Sequence, residues 1–165
     1  MASASWSSTL LPQVEHHYLW LSKAIDELTV EQACFELAAG RPSIAWLVGH
    51  LTAGADSLAQ AVAGLDAACG VDFLARHGSP HWEVTGEVEW EALREEWKRT
   101  AARSQQGLVA LPESDFEFPP AIEILPEFAQ RLTTRHAFLT GEIFHFAYHL
   151  GQIGSLRAAQ DLGWA

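Results

Sequence analysis

Glycine and proline are unevenly spread along this chain, and that unevenness restricts its fold more than any other feature. They collect between residues 64 and 86 and between 107 and 126, and the only prolines outside those windows are Pro12 and Pro42. A proline inside a helix removes a hydrogen bond and clashes with the preceding turn, so stretches without it are where long helices can form. Ala, Leu, Glu and Gln, all strong helix formers, dominate those stretches.

Hydrophobic spacing then picks out the helices. A first helix is predicted over 11–28, with Pro12 in its opening turn and Leu11, Val14, Tyr18, Leu21, Ile25 and Leu28 on one stripe that His17 shares. A short helical turn over 30–38 ends at Gly40-Arg41-Pro42. A second long helix is expected over 44–63, opened by Ser43 as N-cap and closed by Gly64. The segment 65–86 carries turn signals at Gly70, Gly78, Pro80 and Gly86 and is read as a crossing connection. A third helix over 87–111 buries Trp90, Leu93, Trp97, Ala101, Leu108 and Leu111. After a proline-rich connection, the last helix includes 140–161, and the pattern leaves open whether 127–139 belongs to it. The expectation is an all-α fold, a single domain over 1–165, arranged as a four-helix bundle with long crossover connections.

With 21 acidic against 10 basic side chains the formal charge is −11, a field that repels phosphate backbones and anionic membranes, so nucleic acid and membrane partners are not expected. Arg94, Lys98, Arg99 and Arg103 alternate with Glu91, Glu95 and Glu96 as a solvated helix face would. No apolar run reaches the roughly 20 residues of a membrane span. Cys34 and Cys69 sit in no metal-binding spacing, and the first fifteen residues lack a secretory pattern. A reduced, cytoplasmic protein with two buried thiols is expected.

His145 and His149, four apart on a helix, project about 40° from one another on one face, as two ligands of one ion would or as two hydrogen-bonded core histidines would. His50 lies at the shoulder of the second helix's apolar stripe, and Gly54 one turn on removes bulk beside it. Three neutral imidazoles without a fourth protein ligand make an open, zinc-like site.

The run His145-Phe146-Ala147-Tyr148-His149-Leu150-Gly151-Gln152-Ile153, with Leu156-Arg157 and Leu162-Gly163-Trp164 beyond it, resembles the final-helix signature of the DinB/YfiT-like superfamily. Ser43-Ile44-Ala45-Trp46-Leu47-Val48-Gly49-His50-Leu51 resembles its second-helix signature. The resemblance implies a bundle in which His50, His145 and His149 hold a divalent ion, zinc or nickel, and frequent homodimers. Phe146 stands where a small polar residue, commonly Asn, is expected, a departure that bears on the surroundings of the ligands.

Other residues have two readings each. Glu142-x-x-His145 has di-iron spacing, but such a site needs a second copy, which the chain lacks. Glu142 and His17 are candidate proton carriers, His17 alternatively a core histidine. Gln152 either orients a ligand or packs the helix. His16, His77, His81 and His136 are expected on the surface or in loops, and Trp20 either at a subunit contact or under the 65–86 segment. Nucleophile-elbow, phosphate-loop and H-E-x-x-H motifs are absent.

Three functions follow. The resemblance implies thiol-dependent transfer or isomerisation of electrophilic small molecules. Metal-assisted hydrolysis needs a general base beside the ion. A non-catalytic binding or stress-response module would have its site closed by a fourth ligand or blocked by Phe146.

Overall fold

The computed structural model describes residues 5–77 and 84–163. His81, Trp82 and Trp164 lie outside them. Among the described residues the elements are α1 (Trp6–Ile25), α2 (Val30–Ala33), α3 (Ile44–Ala63), α4 (Val71–His77), α5 (Glu87–Ala110), a 3-10 turn (Glu113–Glu117) and α6 (Arg135–Ala158). None is a strand, in agreement with the all-α expectation, and none is long and apolar enough to cross a membrane.

Local chemistry sets most boundaries. The Ser43 side chain accepts from the Trp46 N–H to open α3, and Gly64, with φ of 68°, closes it in the left-handed conformation. Thr29 and Gln32 form a reciprocal capping box that starts α2, which stops at Ala33 rather than reaching 38. Thr134 caps α6, so of the undecided stretch 127–139 the part from Arg135 onward is helical. The first helix differs from its prediction. It begins at Trp6 because the Ser5 side chain accepts from Ser8, which places Pro12 inside the helix instead of in its first turn.

Four long helices form the bundle. Both α1 and α3 pack against α5 and α6, so each of these two pairs is diagonal across the core. Contacts fix the directions. Tyr18 meets Phe146 while Arg157 reaches the Ala24 carbonyl, so α1 and α6 run parallel. Asp56 meets Arg103 while Ala63 lies beside Gly107, so α3 and α5 are parallel neighbours. A connection between parallel neighbours must span the length of the bundle, and within this one α4 packs along α3. This is why the segment is long and why part of it is helical, which its turn residues concealed.

The core joins all four helices through Trp90, Trp97, Phe146, Leu21, Leu47 and Leu139, with Phe116 of the 3-10 turn beneath them. Its polar tips are satisfied: the Trp90 indole donates to the Leu28 carbonyl, the Trp97 indole to Ser22 Oγ, and the Tyr18 hydroxyl bonds Ser104. Arg157, nearly buried, donates to the carbonyls of Ala24 and Gly163, tying the end of α6 to the end of α1. On the outer face of α5, Glu91 pairs with Arg94, Glu95 with Lys98 and Glu96 with Arg99, as the charge pattern indicated.

Neither cysteine is in a disulfide. Cys69 is buried and Cys34 only half-buried, where two buried thiols were expected. Burial, followed by the charge of Asp56, pushes the Cys69 thiol up to about 12. At pH 8 that leaves roughly a thousandfold less thiolate than an ordinary cysteine holds. A disulfide-exchange reagent added to native protein is therefore expected to titrate Cys34 well before Cys69, and equal rates would contradict the buried placement.

Candidate metal centre

α3 and α6 run antiparallel, His50 facing His145 and His149 while Gly54 lies beside Glu142 and Phe146. The three imidazoles meet edge to face, with interplanar angles of 89°, 78° and 81° and ring centroids 4.6 to 4.9 Å apart. Their ligand nitrogens all lie within 4.8 Å of one another. Tetrahedral coordination at about 2.05 Å would space them roughly 3.3 Å apart, and His50 Nε2 to His145 Nε2 is 2.8 Å. Among the described residues no fourth His, Cys, Asp or Glu joins the cluster. All three are part-buried, at the edge of the core.

Each ring is oriented from behind. His145 Nδ1 lies 3.2 Å from Glu142 Oε2, and His149 Nδ1 lies 2.6 Å from Gln152 Oε1, whose amide nitrogen donates to the Tyr148 hydroxyl. A carboxylate and an amide oxygen accept only, so both Nδ1 atoms carry a proton, and in the neutral form of each ring Nε2 presents a lone pair. The backbone of His77 lies close enough to the His50 ring to raise its pKa, as a carbonyl oxygen facing a ring N–H does. Burial first, then the charges of His145 and His149, outweigh it and push His50 down to about 4. Burial also lowers His149.

These assignments leave a conflict that a cation resolves. With its N–H turned toward the His77 backbone, a neutral His50 faces His145 Nε2 to Nε2 at 2.8 Å. Two lone pairs at that distance repel unless a proton or a metal lies between them. The donor set therefore fits a divalent ion, as neutral imidazoles with carboxylate and carbonyl partners behind them do in metal sites.

Residues 13–153 match the family model of the DinB superfamily. The chain belongs to the DinB superfamily. A solved structure of a conserved protein from Enterococcus faecalis is similar with a TM-score of 0.67 at 15% identity, covering 94% of this chain and 96% of that one, a likeness of fold. No functionally curated protein matches this DinB-superfamily chain.

The other residues singled out in the sequence take distinct places. A Cβ at Gly54 would lie 3.3 Å from Glu142 Oε2 and 3.7 Å from the His145 ring, so this glycine makes room for both. Phe146 is buried in the core against Tyr18 and Trp97. His17 lines a crevice with Tyr18, Leu58, Glu142 and Phe146 that is too narrow for a water molecule. Its Nδ1 has no hydrogen-bond partner among the described residues. Burial, then His16, lowers its pKa. His16 is exposed and His136 half-buried. Trp20 is 41% exposed, its ring beside His16.

His77 is the clear correction. Expected on the surface or in a loop, it ends α4, is 2% exposed, and packs on α3. Trp46 was also missed as part of the site: its indole stacks on the His50 ring at 4.9 Å and 11°. Its position one turn before His50 was the available signal.

Proposed function

We propose that this chain is a metal-dependent enzyme acting on small molecules, with His50, His145 and His149 as ligands of one zinc or nickel ion. The observation that carries the reading is the convergence of three imidazole lone pairs with no fourth protein ligand among the described residues, which leaves a coordination position for a reactant. A divalent ion held there supplies Lewis acidity that lowers the pKa of a thiol or a water at the open position. Glu142 and Gln152 keep the Nδ1 protons of His145 and His149 in place, fixing both rings with their lone pairs inward. Trp46 covers one face of His50 and limits its rotation.

Of the catalytic readings, thiol transfer or isomerisation is favoured over hydrolysis because Glu142, the nearby carboxylate, is engaged with His145. A metal-bound water gains most from a free base beside it, whereas a thiol, already far more acidic than water, ionises at neutral pH on binding the metal alone. His17 lines a crevice too narrow for a water molecule, which argues for a packing role over proton transfer. Phe146 is buried in the core, which weakens the non-catalytic reading. We further read the chain as a cytoplasmic homodimer, supported by two cysteines that form no disulfide and by Phe144 and Tyr148, 72% and 64% exposed on successive turns of α6.

Zinc- or nickel-loaded protein, offered a low-molecular-weight thiol with an activated aryl halide or an epoxide, is expected to consume the thiol at a rate abolished by His50→Ala. Metal-dependent ester hydrolysis without thiol would favour the hydrolase instead. Neither activity would leave the ion a structural role.

A further inference from the structure

Among the described residues of the connection between α3 and α5, His77 is the one that approaches the candidate centre. A Cβ built on Gly49 would stand 1.8 Å from His77 Cε1 and Nδ1, so the His77 ring occupies the volume that any side chain at position 49 would need. Phe73, one turn earlier on α4, lies against the same ring with centroids 4.3 Å apart. Gly49 is the neighbour of His50 in the chain, the His77 backbone lies beside the His50 ring, and Trp46 stacks on that ring. One residue thus supplies the wedge that seats α4 on α3 and a carbonyl next to a candidate ligand.

We propose that His77 is a positioning residue for the metal centre and that docking of α4 is thermodynamically coupled to metal binding. At seven residues α4 is too short to be stable alone, so its place depends on what it docks into. The Gly49 notch and the His77 ring provide that dock. When the wedge is seated the carbonyl meets His50, and His50 presents its lone pair to the ion. When it is not, His50 loses its partner from behind and turns more freely. By reciprocity, an ion on His50 holds the carbonyl and hence α4.

This rests on the triad being a metal centre, and the test separates the two claims. Metal affinity, measured by competition with a chromophoric chelator, is compared in wild type, His77→Ala, His77→Phe and Gly49→Ala, with the visible bands of the cobalt-loaded proteins as a readout of ligand geometry. His77→Ala and Gly49→Ala are expected to bind about 10- to 100-fold more weakly with altered cobalt bands. His77→Phe, which keeps the ring's bulk and the carbonyl, is expected to recover most of the affinity. In wild type, metal is expected to slow amide hydrogen exchange over 71–77, a result that needs no variant to fold. Wild-type affinity and unchanged bands in both weakening variants would overturn the coupling, as would α4 exchange indifferent to metal. A His77→Phe protein as weak as His77→Ala would place the effect in the ring nitrogens and overturn the wedge. Wild type that binds no metal would overturn the centre itself.

Discussion

Asp56→Ala is expected to lower the stability of the fold by about 3–5 kcal/mol, the range for removing one partner of a buried, hydrogen-bonded charge pair. Asp56 has no exposed surface. Its carboxylate accepts from the backbone N–H groups of Ala68 and Cys69 at 3.0 Å, from the Gln60 amide at 3.1 Å and from the Arg103 guanidinium at 3.2 Å. Alanine leaves those donors without their acceptor, and the buried Cys69 N–H, unlike the donors of exposed Ala68 and of Arg103, has no ready access to water. Asn should cost less, since it retains one acceptor oxygen. Urea denaturation measures both, and a loss below about 1 kcal/mol in Asp56→Ala would show that the connection is not held this way. Because Asp56 anchors the start of the segment that ends in α4, its loss should also loosen His77 against Gly49.

The elements that could be read from sequence are those whose signals are local. Ser43 and Gly64 bracket α3 at the residues expected, because a hydroxyl cap and a left-handed glycine act on their immediate neighbours. The stripe of Trp90, Leu93, Trp97 and Ala101 located α5 to within a residue, since a long amphipathic face repeats its information. Helical spacing brought His145 and His149 together, but placing His50 opposite them required the family resemblance, because nothing in linear spacing relates two helices 95 residues apart.

What escaped is tertiary. α4 carries no sustained period and exists because α3 and α5 are parallel, a relation absent from either helix's own sequence. His77 looked like a loop residue for the same reason. One clue was available. A glycine in the middle of a helix costs about 1 kcal/mol relative to alanine and often marks a close approach, and Gly49 immediately precedes a ligand candidate. The anchoring of the return connection by Asp56 and the capping of α1 by Arg157 were equally unreadable, because each depends on a partner more than ten residues away in sequence.

The second large effect concerns the ion. A three-imidazole site that loses one ring keeps two donors, and zinc or nickel then competes poorly with water for the remainder. His149→Ala and His50→Ala should each remove nearly all bound metal, while His16→Ala, an exposed ring outside the triad, should not. The measurement is elemental analysis of untagged protein supplied with zinc or nickel and then exhaustively dialysed. About one ion per chain in the wild type and in His16→Ala, with near-zero content in His50→Ala and His149→Ala, is the predicted result. Metal retained undiminished in either triad variant, or absent from the wild type, would contradict the three-histidine centre.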